Sequence, residues 1–375
     1  MKLVLSVEAL TADLTGIGRY TWELARRLPK HPAVQDVRFY RNGLWVDDPG
    51  SLLKTRSALP EGSHRARFKL PRWMRDFRLA TVCRDRLFHG PNFFLPACAD
   101  EGVITVHDLS VFKFPETHPI ERIRHFERDF SRSVAQAAHV ITDSQTTRAE
   151  VMSFTGLPAS QVTAVALGVS SAFVPRRDEE IAAPLQKYGL KPRSYALCVS
   201  TLEPRKKIEQ LLVAWCELPI KLRSAFPLIL VGGNGWLSEA LQATIQQGQL
   251  QGWVRHLGYV PEDDLPLLYA GAALFVYPST YEGFGLPPIE AMACGVPVVV
   301  SSQSCLPEVT QGVALMVNPD DVTAFSAVLE KGLTDESWRS GAVAAGQAVA
   351  ATYTWQRCVD ETVAVYQQIE LIPKS

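Results

Sequence analysis

Strand-length apolar runs alternate with helix-length segments along this chain, and the alternation occurs twice. KLVLSV (2–7), EGVITVHD (101–108), AHVITDS (138–144) and VTAVALG (162–168) are the runs of the first half. SYALCVS (194–200), PLILVGG (227–233), WVRHLGYV (253–260), AALFVYPS (272–279) and VPVVVSS (296–302) are those of the second. Strands separated by helices run parallel, and parallel sheets need helices on both faces, so each half predicts a Rossmann-like, doubly wound α/β domain. A chain of 375 residues also exceeds what one hydrophobic core fills, and 47% apolar with 21% charged residues is a globular composition. Between the halves, VSSAFVPRRDEEIAAP (169–184) loses periodicity and gathers proline and charge, which predicts a linker. The expected divisions are therefore 1–170, 171–353 and a final segment 354–375, whose Trp355, Val359, Val363 and Tyr366 are spaced for one helix face. Two doubly wound domains facing each other put strand C-termini, where such sheets bind ligands, into an interdomain cleft.

Charge and cysteine usage exclude several classes. Thirty-eight basic against 39 acidic residues leave a net charge of −1, without the basic footprint of nucleic-acid binding. The longest apolar runs are strand-sized, short of the roughly 20 residues of a membrane-spanning helix. The start, MKLVLSVEAL, meets Glu8 before an apolar signal core is complete and reads as a first strand, so a cytoplasmic location is expected. Seven scattered cysteines without a C-x-x-C pair predict reduced packing residues instead of disulfides or a zinc site.

The chemistry concentrates in the second half. STLEPRKKIEQLLVAW (200–215) follows a strand and opens an amphipathic helix with Ile208, Leu211, Leu212 and Trp215 on one face and Arg205 and Lys206 at its mouth. The helix dipole disfavours cations there, so the pair makes sense against a bound diphosphate; a solvated basic turn is the plain alternative. LVGGNGW (230–236) ends a strand in glycines that permit close backbone approach, and Tyr259 and Val260 are placed to offer backbone groups to a flat base. In YEGFGLPPIEAMACG (281–295) a loop leads into a helix whose first turn takes Pro287 and Pro288 and whose end takes a glycine cap. Glu282 in the loop and Glu290 in that first turn then flank the N–H groups of Gly283, Phe284, Gly285 and Leu286. Carboxylates accept from hydroxyls and helix-start N–H groups suit phosphate, so this arrangement fits a sugar nucleotide.

The order and spacing of these motifs are similar to those of the family 4 retaining glycosyltransferases. STLEPRKK, LVGGNGW, LYAGAALFVYPSTYEGFGLPPIEAMACGVPVVVSS and SCLPEV resemble the second domain of that family; TGIGRYTWELARRL (15–28), LFHGPNFFLP (87–96), VITVHDLS (103–110) and VITDSQTTRAEV (140–151) resemble the first. The resemblance implies the two-domain GT-B fold. It implies that Glu282 binds sugar hydroxyls, Glu290 the ribose, and Arg205 and Lys206 the diphosphate, with Phe284, Gly285 and Leu286 contributing backbone groups. Lys207 departs from the pattern, which often has asparagine or glycine there, and leaves open which lysine reaches the phosphate. In the first half, Gly16 and Gly18 let a loop pass close to donor or acceptor, and Arg19 adds charge. Thr21 stands where a dinucleotide fingerprint needs its third glycine. His107, at a strand end, is by itself more readily structural than catalytic; the resemblance reverses that by placing it beside the transferred sugar. His89 reads as a loop anchor, and Asp108 as an orienting or capping residue.

Transfer from a nucleoside diphosphate sugar to an acceptor hydroxyl with retention of configuration is the implied reaction. Arg205, Lys206 and the helix start would stabilise the leaving diphosphate. No D-x-D triplet follows a strand, and EDD (262–264) and PDD (319–321) sit in turns, so no metal and no cofactor beyond the donor are expected. The basic, aromatic stretch 64–86, with Phe68, Trp73 and Phe77, reads either as a peripheral contact with the inner membrane surface that brings in a lipid-linked glycan acceptor, or as a solvated helix with inward aromatics. The short first-domain loops resemble those of bacterial enzymes that build O-antigen and related surface polysaccharides, which suggests mannose from GDP-mannose. The alternatives are a GT-B epimerase or hydrolase of sugar nucleotides, and a non-catalytic nucleotide-sugar-binding subunit of a polysaccharide-assembly complex.

Overall fold

The computed structural model describes residues 1–12, 14, 16–54, 72–99, 101–233 and 239–370. They form two compact units, one from segments within Met1–Leu109, Ile120–Leu167 and Trp355–Ser375, the other from Ser110–Pro119 and Gly168–Thr354.

The first unit is built on a seven-stranded sheet of β1 (Lys2–Ser6), β2 (Asp36–Arg41), β3 (Leu44–Val46), β4 (Leu87–Gly90), β5 (Gly102–Val106), β6 (Ala137–Thr142) and β7 (Val162–Ala164). The spatial order is β3-β2-β1-β4-β5-β6-β7, parallel except for β3. The runs at β1, β5, β6 and β7 match the sequence reading. β2, β3 and β4 escape it because they are short and do not show a buried apolar run: β2 alternates exposed and half-buried residues, and β4 contains His89. The helix Trp355–Glu370 belongs to this unit, packing on β6 and on the helix Gly16–Arg27, and the predicted face of Trp355, Val359, Val363 and Tyr366 is buried.

The second unit has six parallel strands, β8 (Ala196–Val199), β9 (Leu228–Val231), β10 (Val254–His256), β11 (Leu274–Tyr277), β12 (Val298–Ser301) and β13 (Leu315–Val317), in the order β10-β9-β8-β11-β12-β13. This is the doubly wound order, in which the chain leaves the sheet centre first in one direction and then in the other. The crevice beyond the C-terminal ends of β8 and β11, where the direction reverses, is the favoured ligand position. Ile208, Leu211, Leu212 and Trp215 lie in the core with Leu274 and Phe325, as their spacing predicted.

Several expectations need correction. The segment 169–184 is only in part a linker, because its end folds into the helix Asp178–Gln186, which includes Pro184. Ile181 and Leu185, four apart, are buried where this helix packs on the helix Leu265–Gly271, and Glu180 accepts a hydrogen bond from the Arg177 N–H at the helix start. Gly16 and Gly18 lie inside the helix Gly16–Arg27, not in a loop before it. Gly232 is required by the protein itself: at φ 138°, an added Cβ would fall 2.0 Å from the Ser200 carbonyl oxygen. Asn234, Gly235 and Trp236 lie outside the described residues, as does 64–71 of the basic stretch. The rest of that stretch contains the helix Arg72–Cys83, in which Phe77 is 67% exposed, followed by Asp85 and Arg86, which pair with Lys2 and Asp36. Among the described residues no helix is long and apolar enough to cross a membrane. All seven cysteines are free thiols; Cys198, Cys294, Cys305 and Cys358 are buried, whereas Cys216 is exposed and is no packing residue.

Candidate active site

At the switch point of the second unit two loops are tied together by charge. The chain leaving β8 turns through Pro204–Lys206 in a single 3-10 turn and passes Lys207 at φ 52° before the helix Ile208–Glu217 begins. The loop leaving β11 carries Thr280, Tyr281 and Glu282. Arg205 donates to the Tyr281 carbonyl at 2.8 Å, and the Arg205 carbonyl accepts from the Thr280 N–H at 2.9 Å. The Arg205 guanidinium also reaches Glu203 at 3.1 Å and Glu282 at 3.5 Å. Lys206, 6% exposed, donates to Glu282 and to the Tyr277 hydroxyl, and that hydroxyl donates to the same carboxylate at 2.8 Å. Arg205, Lys206 and Glu282 thus converge in one buried knot with Tyr277 at its centre.

The electrostatics follow from that enclosure. Burial works to raise the pKa of Glu282, but the Lys206 and Arg205 charges overcome it and hold the carboxyl down to about 2. Burial lowers the pKa of Lys206, and Glu282 opposes that shift. Such a site holds its two cations ready and balanced, Arg205 by Glu203 and Lys206 by Glu282. The Glu282 backbone is fixed as well: its N–H donates to the Ser304 hydroxyl at 3.1 Å, and its carbonyl accepts from that hydroxyl at 2.7 Å and from the Cys305 thiol at 3.1 Å. The Cys305 thiol also reaches the Phe284 carbonyl at 3.0 Å.

The helix Leu286–Ala293 starts from Gly285 at φ 98°, where an added Cβ would meet Leu306 at 2.7 Å. Pro287 and Pro288 have no N–H, so the first turn presents fewer donors than an ordinary helix start. The N–H groups of Phe284, Gly285 and Leu286 find no acceptor among the described residues. The Phe284 side chain packs edge-on against Tyr353 at 5.4 Å and is core. Glu290 is the fifth helical residue, just past the first turn where it was expected, and 8% exposed; burial, then the Glu290 charge, raises the Tyr269 phenol pKa. Glu282 and Glu290 therefore sit in different surroundings, the first among cations and the second beside a phenol. Gly283 belongs to the same loop. Val260 is buried while Tyr259 stands 68% exposed beyond β10, two strands from β8. Lys207 pairs with Asp320 at 2.7 Å, which leaves Lys206 as the lysine of the knot. Of the acids read as solvated, Asp264 pairs with Lys187 and Asp321 caps the helix Val322–Thr334.

In the first unit His107 follows β5 and Asp143 follows β6. The register pairs Val106 with Thr142, so the next residue on each strand stands beside the other. His107 Nδ1 lies 2.7 Å from Asp143 Oδ2, and Nε2 lies 2.8 Å from the Pro91 carbonyl oxygen. A carbonyl only accepts, so Nε2 carries a proton. Burial opposes a charged ring, but Asp143 and the Pro91 carbonyl outweigh it, and the His107 pKa is raised above the usual imidazole value. Tyr20 and Phe93 pack edge-on against the ring at 5.2 and 5.6 Å. Asp143, not Asp108, is the ring's carboxylate partner. His89 is no loop anchor; its ring nitrogens meet Tyr366 at 2.6 Å and Thr105 at 2.9 Å, tying β4 and β5 to the helix Trp355–Glu370. Burial, with the His107 charge behind it, lowers the His89 pKa to about 3. Sequence reasoning missed Tyr277 and Asp143. Each sits at or just past the end of a strand adjacent to one that carries a predicted site residue, a signal that needs the strand order.

The profile of the group 1 glycosyl transferases matches residues 182–348. O-antigen chain mannosyltransferase B of Escherichia coli is 39% identical over 98% of this chain and 100% of its own length. The serotype-specific mannosyltransferase WbdA of Escherichia coli is 28% identical over 95% of this chain and 46% of its own. Among solved structures, Anabaena HepE in complex with UDP and glucose superposes with a TM-score of 0.72 at 16% identity, covering 98% of this chain and 100% of that one. A full-length match at that identity, with sheets in this order and a shared fold, identifies the chain as a member of the group 1 glycosyltransferases with their GT-B fold.

Proposed function

We propose that this chain is a retaining, metal-independent mannosyltransferase that moves mannose from GDP-mannose onto a hydroxyl of a growing, lipid-linked surface glycan. The observation that carries the reading is the buried knot of Arg205, Lys206 and Glu282 beyond β8 and β11. A diphosphate entering there takes over as counter-ion of the two cations and frees the Glu282 carboxylate to accept from sugar hydroxyls. The same cations, with the Phe284, Gly285 and Leu286 N–H groups, then neutralise charge as the glycosidic bond breaks, the work a divalent ion does in other transferases. Glu290 takes the ribose hydroxyls. Without an enzyme nucleophile in this reading, the acceptor hydroxyl attacks from the face the diphosphate leaves, passing its proton to that phosphate. The mannose and surface-glycan assignments rest on the printed activity of the full-length Escherichia coli relative. Incubation with a panel of nucleotide sugars, a synthetic lipid-linked glycan and excess chelator tests all parts at once. Mass spectrometry is expected to show one added hexose from GDP-mannose alone, and NMR an α-linkage. Donor turnover without acceptor, or loss of transfer on chelation, overturns the reading.

A further inference from the structure

Strand β3 folds back on β2 through Asn42 and Gly43, at φ 48° and 86°, the mirror-image two-residue turn that an Asn-Gly pair favours. The turn fixes the register: Arg41 faces Leu44, Tyr40 faces Trp45 and Phe39 faces Val46. By the period of two, Arg38 shares the face of Tyr40, and Asp47 follows directly on the last residue of β3. The Arg38 guanidinium lies over the Trp45 indole, 6.0 Å from its centroid, and Tyr40 meets the same indole edge-on at 5.7 Å. Val37, Arg38, Phe39, Trp45, Val46 and Asp47 line a pocket of about 360 Å³, within the size range of small-ligand sites. Neither the Arg38 guanidinium nor the Asp47 carboxylate has a hydrogen-bond or ion-pair partner among the described residues. Trp45 is 39% and Leu44 52% exposed on an edge strand, a place where folds usually keep apolar side chains away.

We propose that this pocket is a second carbohydrate site, which holds a neutral pyranose ring from the already assembled part of the glycan. A sugar ring offers an apolar C–H face to an indole and vicinal hydroxyls to a carboxylate acceptor and a guanidinium donor. One charge of each sign in the lining of one pocket selects a neutral polyol: an anion meets Asp47 and a cation meets Arg38. The site gives a processive or repeating transferase a grip on its acceptor apart from the reacting end. It rests on the reading of the acceptor as a glycan.

The test is calorimetric titration of the full chain with a neutral mannose tetrasaccharide, without donor, alongside transfer kinetics on short and long acceptors. Trp45→Ala and Asp47→Ala are each expected to weaken tetrasaccharide binding about tenfold, the worth of one aromatic or charge-assisted contact. Both are expected to raise KM for the long acceptor about as much, while KM for donor and for a monosaccharide acceptor stays put. Asp47→Ala keeps the test alive if loss of the indole disturbs the hairpin. Failure of the wild type to bind the tetrasaccharide overturns the proposal, as does undiminished binding by both folded variants or capture of an extended peptide along β3 in place of sugar. If no donor is transferred yet the tetrasaccharide binds through Trp45, the proposed activity fails and this site stands.

Discussion

Lys206 and Glu282 are each other's counter-ion, and the two removals have different consequences. Glu282→Gln leaves a buried ammonium facing an uncharged amide, which costs about 3–5 kcal/mol, read as a lower urea midpoint. Lys206→Met leaves Glu282 with Arg205 and is expected to weaken GDP binding at least about tenfold by calorimetry, as a charge-assisted contact is lost. A stability loss under about 1 kcal/mol for Glu282→Gln contradicts a desolvated pair. The pH dependence has a definite sign. The Glu282 pKa is depressed, so its stabilisation is complete above the ordinary carboxylate value near about 4.3 and is lost as pH falls toward about 2. The Glu282→Gln variant should lose that slope in urea titrations. Much of the knot was legible: Glu282 in the loop before a proline-started helix and the basic pair at a helix mouth stand in the sequence itself. Tyr277 did not stand out, because a tyrosine ending an apolar strand looks like any core residue until its neighbour strand is known.

Two glycine-bearing helix starts separate fold from ligand at the level of elements. Gly285→Ala imposes a positive φ on a side chain and drives a methyl into Leu306, so a loss of about 2–4 kcal/mol in thermal or urea unfolding is expected. Gly16 differs: nothing lies within 4 Å of an added Cβ, and alanine suits the helix Gly16–Arg27 better than glycine. Gly16→Ala should fold at least as stably as the parent, so any drop in transfer reports close approach of donor or acceptor; unchanged kinetics removes Gly16 from the site. Strands with buried apolar runs were readable, while β2, β3, β4 and β13 were not, since three to six residues of mixed burial give no period to count. The helix Asp178–Gln186 hid behind its proline and charges, although Ile181 and Leu185 already carried its spacing.

On the scale of the whole molecule, the chain's last helix completes its first unit. Trp355, Cys358, Val359, Val363 and Tyr366 are buried there, and Tyr366 closes the bond chain through His89 to Thr105. Ending the chain before Trp355 uncovers β6, the helix Gly16–Arg27 and the His89 ring. Such a protein is expected to lose the cooperative unfolding of its first unit, seen as a missing transition in calorimetry with that of the second unit retained. The doubled strand-helix alternation announced two doubly wound units, but the order of strands within each sheet, and with it the meeting of His107 with Asp143, is a property of long-range pairing that no local pattern encodes. The Cys305 thiol brings a last consequence. Burial, and the Glu282 charge after it, push its pKa up, so it stays protonated where it lies between the Glu282 and Phe284 carbonyls of the loop after β11. Only the thiolate reacts with peroxide or maleimide, which makes this sulfur inert while the loop is closed and turns its labelling rate into a clock for how often the loop lets go.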